Sequence, residues 1–122
     1  MNLFKTFYFL LATQKWCSDE PKIHGLWLNK YNSPYPSYCD PEPFNITTTT
    51  PIMFDLWSDC NYDKTISLWE HEWIKHGTCA KHYVNYTQEQ FFNTTITLFQ
   101  KTTKPFTCFD LDKNEIDCPN IL

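Results

Sequence analysis

The chain has 122 residues and carries ten basic against fourteen acidic side chains, a formal charge of −4 at pH 7. This length suits one modest core, and the negative balance excludes tight, salt-driven gripping of a polyanion along its backbone. No apolar run reaches the ~20 residues of a membrane span, while an aromatic content of 18% supplies the large side chains that a small core needs.

Residues 3–16 read as a first strand around the apolar run Phe7 to Ala12. The same stretch, one lysine and then a short apolar run, also fits a secretory leader with Ala12 near its cleavage site. Residues 23–28 form a second strand, in which Ile23, Leu26, Trp27 and Leu28 read as buried and His24-Gly25 as an interruption. A glycine inside a strand marks a bulge or a close approach of backbone. Residues 29–51 are loop, and the run Thr47 to Thr50 followed by Pro51 argues against helix there. A short helix follows at 52–58. The next helix runs from Ser67 to His76, with Ser67 as N-cap, Glu70 completing a capping box and Gly77 as a left-handed terminator. A third helix starts at Thr87, with a capping box through Gln90, and continues to about Lys101. Its core side is Phe91, Phe92, Ile96, Leu98 and Phe99. Phe106 to Leu111 alternates like a last strand before a turn at Asp112-Lys113-Asn114. There is no internal repeat and no linker. The pattern predicts a single α+β domain over 1–122, an antiparallel sheet flanked by helices.

Six cysteines stand singly, with no Cys-x-x-Cys pair, beside three sequons at Asn45, Asn85 and Asn93. An even count with glycosylation acceptors reads as a disulfide framework in an oxidising compartment rather than a structural metal site. The pairing is open at this level.

The chemistry concentrates in LWEHEWIKHGTC, residues 68–79. At ~100° per residue, His71, Lys75, Glu72 and His76 fall within an arc of roughly 140°. Two imidazoles, a carboxylate and an ammonium on one face can share a proton and hold an anion together, which suits phosphoryl transfer without a metal. The ordinary reading of such a helix is a solvated face with charge pairs. Flanking tryptophans and a second histidine motif, KIHGLW at 22–27, weigh against it. A zinc-protease reading of HEWIKH fails because residues 71 and 76 are five apart, whereas two ligands on one ion need a four-residue step.

IHGLW and LWEHEWIKHGTC closely resemble the two active-site segments of the ribonuclease T(2) family, secreted and mostly acid-active endoribonucleases. The likeness runs from about residue 7 to 118 and is strongest over 22–41 and 68–81. Leu28 departs from the proline usual after the first tryptophan. The stretches between Trp16 and Ile23 and between Lys101 and the last strand are short, so the chain resembles a reduced, disulfide-stapled version of that fold. The resemblance implies that residues 3–16 are the first strand. It also implies the pairs Cys17–Cys60, Cys39–Cys79 and Cys108–Cys118.

The resemblance further implies catalysis by His24, His71, Glu72, Lys75 and His76. His76 is the expected base and His24 the expected acid, while Lys75 neutralises a phosphorane, Glu72 orients a histidine or shares a proton with the phosphate, and His71 binds the phosphate or steadies the transition state. Trp27 is the expected stacking surface for a base and Asn29 a base-contacting candidate, with Tyr35 and Tyr38 better read as loop aromatics. The substrate class would be single-stranded RNA and not DNA, which lacks the 2′-hydroxyl. The expected protein is a monomer without cofactor, metal or membrane, secreted or lumenal (extracellular, vacuolar or lysosomal). The rival reading is a secreted binding or effector module that keeps the fold without activity, although all the charged positions are intact. Closing the ~40-residue loop between Cys39 and Cys79 contributes about 4 kcal/mol. Mass-spectrometric mapping of non-reduced peptides is expected to find Cys79 linked to Cys39, and any other partner contradicts the pairing.

Overall fold

A computed structural model describes residues 2–15 and 17–119. Strands β1 (Phe7–Gln14), β2 (Lys22–Lys30), β3 (Phe106–Phe109) and β4 (Glu115–Ile116) form one sheet in the order β2-β1-β3-β4, with every neighbouring pair antiparallel. Among the described residues five α-helices accompany it: α1 (Leu3–Thr6), α2 (Ile52–Leu56), α3 (Thr65–Glu72), α4 (Thr78–Val84) and α5 (Gln88–Phe99). The architecture is α+β, as the sequence pattern predicts.

Alternation along β1 sorts the sheet into two faces. Phe7, Phe9 and Leu11 join Ile23, Leu26 and Leu28 of β2 and the fully buried Trp57, Trp69, Trp73, Phe91 and Phe92 in the main core. Tyr8, Leu10 and Cys108 form a smaller cluster with Trp27, Tyr31 and Ile116. Ile23 and Leu26 lie three apart yet share a core, which strict alternation forbids. A bulge resolves this: Ala12 pairs with Gly25 and Thr13 with Ile23, leaving His24 as the extra residue.

The sequence places several boundaries differently. Of residues 3–16, Phe7–Gln14 is strand, while Leu3–Thr6 is a helical turn begun by Asn2, whose side chain accepts the Phe4 amide. Trp16 lies outside the described residues. The helix expected from Ser67 begins at Thr65, because Asn61 caps a 3₁₀ turn (Tyr62–Lys64) that runs directly into α3. Ser67 is therefore an exposed interior position.

Nor does the helix end at Gly77, whose neighbours continue helically. Trp73–Gly77 is a π-helical turn joining α3 to α4, and the left-handed terminator is Asn85 at φ 61°. Gly77 is needed for closeness instead: a Cβ there would lie 2.3 Å from Trp73 Cε3 and 2.9 Å from Phe91 Cδ2. The α5 capping box forms as predicted between Thr87 and Gln90. The turn after β3 is held by Asp110, which accepts the amides of Asp112 and Asn114, with Lys113 at φ 69°. It returns into β4, which the sequence pattern does not reveal.

Three disulfides staple these parts: Cys17–Cys60, Cys39–Cys79 and Cys108–Cys118. No described helix is long and apolar enough to cross a membrane. Gly77→Ala is expected to lower unfolding stability by about 1–3 kcal/mol through overpacking against Trp73 and Phe91, measured as a reduced urea midpoint.

Candidate active site

A cleft of about 350 Å³ opens where β2 meets the continuous helix α3–α4. It is lined by His24, Trp27 and Asn29 from β2, by His71, Glu72, Lys75 and His76 from the helix, and by Leu10 and Tyr35. All seven of the sequence-derived catalytic and binding candidates therefore line one cavity. Tyr35, set aside in the sequence as a loop aromatic, also belongs to it, 5.8 Å from the His76 ring and with Lys75 Nζ over its face at 5.7 Å. Tyr38 lies outside this cleft, beside Ile74 and Pro41.

Two local irregularities aim the histidines. On β2 the bulge turns His24 out of the ladder, and its carbonyl accepts the Trp57 indole N–H at 2.9 Å. Trp57 is in turn held through its own carbonyl, which accepts the Trp69 indole at 2.7 Å. On the helix, the π turn widens the winding between His71 and His76. A π turn rotates each residue by less than the ~100° of an α-helix, so His76 is turned differently relative to His71 than on a regular α-helix, where residues five apart diverge by ~140°.

Glu72 is 1% exposed and sits against Gly25. Its Oε1 accepts the Trp27 indole N–H at 2.7 Å, and its Oε2 lies 4.0 Å from His71 Nε2. A Cβ on residue 25 would fall 1.8 Å from that Oε1, so the glycine is required by the carboxylate it faces. The Trp27 ring stacks on His76 at 5.1 Å and meets His24 edge-on at 5.3 Å. The sequence reads Trp27 as a stacking surface; the structure adds a second use, in which one indole spans both histidines and holds Glu72.

Electrostatics follow from this burial. The Glu72 carboxyl is pushed up to about 7, chiefly by desolvation, against the Trp27 hydrogen bond and Lys75, which oppose the rise. His76 is pushed down to about 3 by burial and by the positive neighbours Lys75, His71 and His24. His24 is lowered by burial and by His71. Nδ1 of His76 and Oδ1 of Asn29 are buried without a hydrogen-bond partner among the described residues, while the Asn29 amide donates to Tyr8 Oη at 3.2 Å. Among the described residues no group of three or more His, Cys, Asp or Glu is placed to hold a metal ion.

An α+β fold that sets three imidazoles, a protonatable carboxyl and an ammonium around one cleft defines a class: proteins equipped for acid–base chemistry at an anionic centre. Comparison narrows it. Residues 7–117 match the model of the Ribonuclease T2 family. Ribonuclease 1 of Arabidopsis thaliana is 36% identical over 120 residues, covering 81% of this chain and 51% of that protein. Extracellular ribonuclease LE of Solanum lycopersicum is 31% identical over 106 residues, covering 82% and 40%. The solved structure of RNase NT in complex with 5′-AMP superposes with a TM-score of 0.72 at 18% identity, covering 96% of this chain and 92% of that one, a likeness of fold. The chain belongs to the ribonuclease T2 family. It spans about half or less of the length of the curated relatives it matches.

The raised Glu72 has a consequence for folding. Between its ordinary 4.5 and about 7, the folded protein holds a proton that the unfolded chain has released, so this group lowers stability as pH rises through that window. His76 acts oppositely: between about 3 and 6.5 only the unfolded chain binds its proton, so stability falls on acidification. Glu72→Gln keeps the acceptor for Trp27 and removes the buried charge. It is expected to raise the urea midpoint at pH 8, with the gain shrinking at pH 4.

Proposed function

We propose that this chain is a metal-independent endoribonuclease that cleaves single-stranded RNA by attack of the 2′-hydroxyl on the adjacent phosphate. The observation that carries the reading is the meeting of His24 with His71, Glu72, Lys75 and His76 around a single cleft. RNA brings its own nucleophile, so the protein needs a base, an acid and stabilisation of charge. The 2′-oxygen transfers its proton to His76 and bonds to phosphorus. The bond from phosphorus to the 5′-oxygen breaks, and His24 protonates that oxygen, leaving a 2′,3′-cyclic phosphate. Lys75 offsets the added negative charge on the pentacoordinate phosphorus. With Glu72 Oε1 taken by Trp27, a proton on the other carboxyl oxygen donates to a phosphoryl oxygen beside His71. RNase NT, a relative in fold, is named as a complex with 5′-AMP, and a nucleotide of that size suits the cleft here.

Base choice rests on Trp27, Tyr35 and the open Oδ1 of Asn29, which accepts a donor from a base edge. Three disulfides and the extracellular name of one relative support a secreted or lumenal protein.

The pH profile follows from the two imidazoles. His76 must be neutral, and its value near 3 keeps it so through the acid range. His24 must be charged, and its value lies below 6.5. The product of the two fractions is largest in between, so kcat/KM, which reports the free enzyme, is expected to trace a bell within the acid range. His24→Phe and His76→Phe are each expected to lower kcat by about 10² or more, in an assay of single-stranded RNA with EDTA present and with end groups analysed. Retention of most activity by either variant, or cleavage to linear products without a cyclic intermediate, contradicts the scheme.

A further inference from the structure

The π turn Trp73–Gly77, which carries His76, has a construction that the acid–base reading does not use. A π turn inserts one residue into the i→i−4 ladder, so carbonyls on that turn lose their regular amide partners and need others. Here the substitutes come from the helix itself and from the loop at 38–39. The Thr78 hydroxyl donates to the Ile74 carbonyl at 2.8 Å. The same oxygen accepts the Cys39 amide at 3.1 Å. The Tyr38 amide donates to the Lys75 carbonyl at 2.9 Å. Cys39 is then bonded to Cys79, the residue after Thr78. Thr78 is fully buried, and its own amide donates to the Trp73 carbonyl five residues back.

We propose that Thr78 is a positioning residue whose hydroxyl, wedged between the Ile74 carbonyl and the Cys39 amide, holds the helix in the π register that seats His76 against Trp27. This rests on the ribonuclease reading for its kinetic consequence, though not for its structural one. A side chain capping a backbone carbonyl four residues back is common for threonine in helices. Thr78 differs in also receiving an amide from a separate segment. That second bond couples the winding of the helix to the loop, and Tyr38, held at φ 52°, delivers its amide one residue earlier on the same loop. Without the hydroxyl, the Ile74 carbonyl loses its side-chain donor and the Cys39 amide loses the acceptor it has in Thr78. The turn then gains by returning to α register, in which each residue beyond the turn rotates by ~100°. His76 would swing away from Trp27 and His71 and towards solvent.

Thr78→Val matches the shape and deletes the hydroxyl; Thr78→Ser keeps it. The expected result for Thr78→Val is a fall in kcat of about tenfold or more with KM changed less than about threefold, because ground-state contacts persist while the base is misaligned. Imidazole titration followed by NMR should show His76 moving from its depressed value towards an ordinary histidine. Thr78→Ser should restore both quantities. A folded Thr78→Val with wild-type kcat and wild-type His76 titration overturns the proposal, as does loss of both in Thr78→Ser. Should Thr78→Val fail to fold, Thr78→Ala leaves room for a bridging water and carries the same test, with the same direction expected. If the unaltered chain cleaves no RNA, the ribonuclease reading falls and the His76 titration alone decides the register.

Discussion

The hydrogen bond from the Trp27 indole to Glu72 is the contact on which the site depends. It joins β2 to the helix, and it sets the requirements of its neighbours. Gly25 has no side chain because the carboxylate occupies the space where one would stand. The indole, fixed at its nitrogen, presents its face to His76 and its edge to His24. The carboxyl itself is shut away from water, which favours its protonated form. One bond thus settles a backbone approach, the seating of two rings and the charge of a third group. An isolated polar contact of this kind contributes only ~1–3 kcal/mol, so its importance lies in geometry more than in stability.

The two histidine segments use the same device in different secondary structures. Each adds one residue to a regular element: a bulge in the strand at His24, a π turn in the helix before His76. Each insertion disturbs the backbone pairing, and in each case the affected carbonyls receive a donor from elsewhere. The Trp57 indole serves His24, while Thr78 and Tyr38 serve Ile74 and Lys75. The indoles of Trp57, Trp69 and Trp73 all donate to main-chain carbonyls. These tryptophans are therefore core residues with a second task, that of satisfying main-chain groups that ladder bonds do not reach.

Much of this was readable from residue order, because it follows from local rules. Alternation identifies β1 and β2, the Thr87 box starts α5, and Gly25 signals an irregularity in its strand. The chemistry-bearing residues were readable because several ionisable types crowd a short stretch between tryptophans. What was not readable depends on partners distant in the chain. Gly77 resembles a terminator, yet its role is set by Trp73 and by Phe91 on another helix. The π turn needs an amide from residue 38, some forty positions away, and a helical wheel drawn with uniform spacing therefore misplaces His76 relative to His71. Trp27 offers a flat ring in any reading, but only the fold reveals that its nitrogen is committed to Glu72. The two-residue β4 is too short to carry a pattern.

The seating of Trp27 also makes the molecule its own optical gauge. Trp57, Trp69 and Trp73 are shut inside the core, where a change of solution leaves their surroundings constant. Trp27 is the partly exposed one among the described indoles, and it rests against an imidazole. Indole emission is quenched by a charged imidazolium in contact with it. Light from this one ring therefore varies with the protonation of its neighbour and with anything that enters the cavity, against a steady background from Trp57, Trp69 and Trp73. The arrangement that seats these rings thereby lets the cleft be watched without an added label.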